Sequence, residues 1–138
     1  MAVSIRRKDL SASGRFYANC YASDAVGDAV YVVGDKVGDL YQVAKVDITD
    51  RNKMPAVGVI VDKLTSTECV VQVSGIWEGA FTGLTPNVPL FAGSSGQLVE
   101  ARPPNPALGI QAIQSVARAL SSTDVHISVT MPTILVAS

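Results

Sequence analysis

The residues able to move protons, hold a metal or attack a substrate are few and scattered in this chain. Histidine occurs once, at His126, in an alternating run where Val125, Ile127 and Val129 share one face and His126 and Ser128 the other. That pattern puts the imidazole on a solvent or interface face, and one histidine cannot build a His-based metal centre within one chain. Cys20 and Cys69 lack CxxC or CxxH spacing, so buried free thiols and a disulfide both stand as readings. Carboxylates come singly, at Asp47, Asp50, Asp62, Glu68, Glu78 and Glu100, and no spacing singles out an acid–base pair. The Gly-Asp pairs at 27–28, 34–35 and 38–39 lack the one-in-two acidic spacing and terminal Glu of a calcium loop. Gly93-Ser94-Ser95-Gly96 reads as a turn before Gln97-Leu98-Val99, and no nucleophile elbow or phosphate loop occurs. The expectation is a protein that is not an enzyme and needs neither cofactor nor metal.

Composition narrows the partners. The chain is 48% hydrophobic but only 6% aromatic and 17% charged, with a formal net charge of −1. Nucleic-acid and anionic-membrane binders normally carry a basic excess, so neither partner is expected. No apolar run approaches the roughly 20 residues of a membrane-spanning helix. Met1–Leu10 holds Arg6, Arg7 and Lys8 without a following apolar stretch, which predicts folding where the chain is made. So low a charge density suits a subunit that buries surface against neighbours.

The elements that must carry these residues are strands. Residues 1–24 mix basic and small residues without period and read as an extended arm. Arg6, Arg7 and Lys8, with the aromatics Phe16, Tyr17 and Tyr21, are its candidate partner-binding residues, since three aromatics in six residues are costly to leave in water. Residues 25–138 read as a single β-rich domain: Val- and Tyr-rich runs at 29–33 and 40–46 are punctuated by Gly-Asp turns, and further strands follow at 56–61, 67–74, 88–92 and 125–131. Trp77 and Phe81 are candidates for an oligomer interface or core anchor, or for a stacking platform. Ala107–Leu120 is ambiguous, because Ile110, Ile113, Val116 and Leu120 could share a helical face. A repeat argues the other way. Pro55-Ala56-Val57-Gly58-Val59 is echoed by Pro106-Ala107-Leu108-Gly109-Ile110, an offset of 51, and Leu64-Thr65-Ser66-Thr67-Glu68 by Leu120-Ser121-Ser122-Thr123-Asp124, an offset of 56. One supersecondary unit used twice would make 108–112 a strand and confine any helix to about 113–120. The fold class expected is therefore mainly β: a compact antiparallel sandwich or barrel-like domain with an N-terminal arm and at most one short helix. The apolar tail Thr133–Val136 should pair with a sheet edge or a neighbour.

The run Ala56–Val61, Leu64–Thr67, Val70–Val73 and Ser74-Gly75-Ile76-Trp77 resembles the tailed-bacteriophage capsid decoration, or cement, proteins of the phage lambda head protein D type. The wider plan, from Gly27–Tyr31 through Ala56–Val59 and Val71–Gly75 to Gly96–Leu98, is similar to that of phage cement and head-fibre proteins. The resemblance implies a homotrimer on the outer surface of the virion, made in the bacterial host cytoplasm. Its partner would be the phage major capsid protein, with the arm clamping neighbouring capsid subunits. A head- or tail-fibre module that binds a host receptor or carbohydrate is the alternative.

Overall fold

The structure, a computed structural model, describes residues 14–102 and 109–137. Five strands come first in the chain: β1 (Arg15–Asn19), β2 (Ala29–Val32), β3 (Tyr41–Lys45), β4 (Gly58–Lys63) and β5 (Glu68–Gln72). They close into a barrel in the order β1-β3-β2-β4-β5. Closure needs one parallel pair, β1 with β3, which spans only Ala18↔Tyr41 and Asn19↔Gln42. On its other side β1 runs antiparallel to β5 over five consecutive pairs, from Arg15↔Gln72 to Asn19↔Glu68. Alternation along the strands sends Ala18, Val30, Val43, Ile60, Cys69 and Val71 inward to a buried core, with Cys20 at its base.

The next strands are β6 (Ser74–Trp77), β7 (Pro89–Ala92), β8 (Leu98–Val99), β9 (Gly109–Ile113), β10 (Ser115–Ala119), β11 (Val125–Ser128) and β12 (Thr133–Ala137). Five of them form an open sheet in the order β6-β11-β10-β7-β8. That order repeats the barrel's, read as β1-β5-β4-β2-β3. The register repeats too: Arg15↔Gln72 in the barrel corresponds to Ser74↔Ser128 in the sheet, and Lys63↔Cys69 to Ala119↔Val125. The hairpin turns are alike bond for bond. Leu64 and Thr65 N–H groups donate to the Glu68 carbonyl at 2.9 and 3.2 Å, as Leu120 and Ser121 do to that of Asp124 at 2.8 and 3.4 Å. The Thr65 hydroxyl accepts from the Thr67 and Glu68 N–H groups, as the Ser121 hydroxyl does from those of Thr123 and Asp124. The offset-56 echo seen in the sequence thus belongs to one five-stranded unit used twice, whereas the offset-51 echo falls on β9, outside that unit.

The second unit differs in remaining open, since no ladder joins β6 to β8. Its inner face, with Ala92, Val116, Val125 and Ile127, packs instead on the barrel's outer wall at Ala29, Val59 and Ala56 and on Val46 and Ile48 beyond β3. The additional strand β9 pairs with β12 along their length, from Thr133↔Ile113 to Ala137↔Gly109, which gives the apolar tail a partner within the chain. The Ala112 N–H also donates to the Ile48 carbonyl at 2.7 Å.

One ambiguity is settled and one expectation corrected here. The 113–120 segment forms no α-helix, within the expected limit of at most one short one: β9 and β10 occupy it, and Val116 is fully buried while Leu120 is half exposed. The buried Gln114 carboxamide between them accepts from the Ala56 N–H at 2.9 Å and donates to the carbonyls of Ala56 and Thr130 at 3.0 and 2.8 Å. The arm does not extend to residue 24, because residues 15–19 are the barrel strand β1. Two 3-10 turns, Arg51–Lys53 and Ser94–Gly96, are the only helical elements among the described residues.

The matched turns have a measurable consequence. Thr65→Ala and Ser121→Ala should each lower the unfolding free energy by a similar amount, about 1 kcal/mol for a lost side-chain acceptor, and the double variant should lose the sum. Urea denaturation checks this; a cost at one turn only would show that the hydroxyls are not equivalent.

Candidate functional site

The barrel has one sealed end and one open end. At the sealed end the chain between β1 and β2 crosses under the core and is tied down by Lys63. Its ammonium donates to the carbonyls of Asp24 at 2.8 Å, Ser66 at 3.0 Å, Tyr21 at 3.3 Å and Ala22 at 3.5 Å. The buried Asp24 carboxylate accepts from the Tyr21 N–H at 2.8 Å and closes the loop on itself. Cys20 and Cys69 lie side by side above this floor, both free and buried. Burial, and then the neighbouring Cys20, push the Cys69 thiol well above its ordinary value, so it stays protonated and poorly nucleophilic.

At the open end lies an apolar cleft of about 330 Å³, lined by Gly14, Arg15, Phe16, Val32, Tyr41, Val57 and Val73. These residues are the start of β1, the end of β2, the start of β3 and the residues flanking β4 and β5, so the cleft is the mouth of the barrel. Val32 and Tyr41 remain 43% and 41% exposed. The rings of Phe16 and Tyr41 meet edge to face with centroids 5.1 Å apart, and the Lys36 ammonium sits 4.6 Å from the Tyr41 centroid. Arg15 leans away, its Nε donating to the Gln72 side-chain carbonyl at 2.9 Å. The mouth of a barrel is a common place for binding, and this one offers an aromatic and aliphatic surface with its nearest cations already engaged.

The sequence candidates do not form one patch. Arg6, Arg7 and Lys8 lie outside the described residues. Phe16 points into the mouth, whereas Tyr17, next to it on β1, takes the opposite face of the strand. Tyr21 lies in the Lys63-bound loop at the sealed end and is 58% exposed. Trp77 and Phe81 pack edge to face, 5.5 Å between centroids, on the core shared by the two units. Val32, Tyr41, Val57 and Val73 were not singled out from the sequence; Tyr41 just after a Gly-Asp turn was the available signal. Among the described residues no group of three or more His, Cys, Asp and Glu is gathered as a metal site would need, and no helix is long and apolar enough to cross a membrane.

Asp28, at the start of β2, borders a second cleft with Val26, Phe81 and Leu98. Burial raises its carboxyl above the ordinary value, opposed by the Ala25 N–H and by Lys45. The charged form is therefore the less stable one in the fold, and the stability present below the usual carboxylate range is lost as pH rises through the raised value. Asn keeps an acceptor for Ala25. Asp28→Asn should melt above the parent at neutral pH, and the gap should shrink toward pH 3; a gap that widens on acidification contradicts the assignment. The thiols give a second test. Cys20 and Cys69 should resist a thiol reagent in the native protein and react fully in denaturant, whereas fast native labelling would contradict their burial.

No protein-family model matches this chain, and no curated protein matches it.

Proposed function

We propose that this chain is a non-enzymatic structural protein of a bacteriophage virion that binds the outer surface of the mature capsid and clamps neighbouring major capsid protein subunits. The observation that carries the reading is the anchoring of the N-terminal segment. Residues 1–13, with Arg6, Arg7 and Lys8, lead directly into β1, which is bonded to β5 over five consecutive pairs. That ladder ties the segment to the wall of the barrel. A clamp needs such an attachment; a frayed tail would yield one bond at a time.

The remaining support is chemical. The resemblance to cement proteins rests on Ala56–Trp77, which is the β4–β5 hairpin and β6. The surface is weakly charged, and it carries an apolar barrel mouth suited to protein contact. In this reading the protein acts as a homotrimer, and many copies add their small binding energies across a shell. The fibre alternative gains nothing from Trp77 and Phe81, which pack against each other and the core rather than forming a flat platform.

The test is binding to purified expanded capsids that lack decoration. The protein should saturate at many copies per shell and raise the temperature at which the shell opens. Arg6→Ala, Arg7→Ala and Lys8→Ala together should lower occupancy about tenfold while leaving the melting of the free protein unchanged. Attachment at only one or a few sites, or only to tails, would defeat the proposal.

A further inference from the structure

We infer that Gln72 is a built-in guard that keeps the free edge of β6 from pairing with a second copy of this chain. Gln72 ends β5 and is only 2% exposed, yet both ends of its carboxamide are engaged. The oxygen accepts from Arg15 Nε at 2.9 Å, and the nitrogen donates to the carbonyls of Ser74 and Ile76 at 3.0 and 3.3 Å. One side chain thus ties the first strand of the barrel to the first strand of the second unit.

The bonds to β6 need a particular backbone. Alternate carbonyls of a straight strand stand about 6.7 Å apart, too far for one nitrogen to reach both at these distances. Gly75 lies between the two and takes a left-handed φ of +93°. That bend brings both oxygens round to the carboxamide. A nitrogen so placed fills the row in which a neighbouring strand's N–H groups would stand, so it lies on the edge of β6 opposite β11. In the strand order of the two units β6 takes the place of β1. Where β1 has β3 as its second neighbour, β6 has this side chain.

What the guard keeps out follows from the strand itself. Ser74-Gly75-Ile76-Trp77 carries neither charge nor proline, the usual means of blunting an edge, and Ile76 is 57% exposed. Among the described residues no strand pairs with that edge. Without the carboxamide, two bare carbonyls would face outward, and an extended strand with its own unpaired N–H groups is the partner that satisfies them. A second copy supplies one, since two β6 edges can pair antiparallel about a two-fold axis. The Gln72 bonds and that pairing exclude each other, because the carboxamide stands where the second backbone would.

Sedimentation velocity over a concentration series tests this on the full chain. Gln72→Met removes the donors and the acceptor, whereas Gln72→Glu keeps the acceptor for Arg15 and gives up the amide donors. Both variants should keep the parent's far-ultraviolet strand signature and gain a species of twice the parent's mass. Adding Ile76→Lys, a change at an exposed position that sets a charge on the edge, should return each variant to the parent's mass. Variants that fold and stay at the parent's mass would overturn the proposal. Association that Ile76→Lys leaves intact would overturn it as well, by placing the contact elsewhere. Loss of the fold in both variants would do the same, by making Gln72 a core residue and nothing more. No outcome involves a capsid, so this reading and the proposed function are judged apart.

Discussion

The second sheet is left open between β6 and β8, and an open sheet with an apolar face must bury that face against something. Here the partner is the outer wall of the barrel. Ala29, Ala56 and Val59 meet Ala92, Val116, Val125 and Ile127 in one shared core. Burying aliphatic side chains on this scale is the dominant favourable term in folding, and it is realised only when both units are present. The barrel encloses a core of its own, whereas the sheet borrows half of its core. The two equivalent units are therefore energetically unequal.

That inequality shapes the surface. The barrel keeps a sealed end, where the Lys63 ammonium takes the place of several N–H donors for carbonyls of a crossing loop, and an open end lined by Phe16, Val32 and Tyr41. Gln72, at the end of β5, guards β6, the edge strand of the second unit: its carboxamide donates to the carbonyls of Ser74 and Ile76 at 3.0 and 3.3 Å. Edge strands with bare carbonyls invite pairing with other chains, and a buried glutamine is one way to occupy them.

Gly58 shows how closely the units are fitted. A Cβ there would lie 2.6 Å from the Gln72 carbonyl oxygen and 2.7 Å from a Val71 methyl, so the glycine is set by the approach of β4 to β5. The Pro-Ala-Val-Gly of 55–58 is echoed as Pro-Ala-Leu-Gly at 106–109, but Gly109 begins β9, which pairs with β12 and has no counterpart in the barrel, so that echo is not a structural equivalence.

The sequence by itself determined the strand-rich class, the repeat, the turns and the alternation that buries Val71 and Ile127 while exposing His126. These follow from local rules, because side-chain period and turn chemistry act over a few residues. It did not determine that 115–119 is a strand, since an Ala- and Val-containing run satisfies helical and strand patterns equally until β7 and β11 offer ladders. Nor did it show that residues 15–19 belong to the barrel rather than to an arm, because the antiparallel pairs of β1 are with residues 49 to 57 positions away. The barrel mouth has the same origin. Phe16, Val32, Tyr41, Val57 and Val73 are scattered along the chain, and only closure of the barrel places them together.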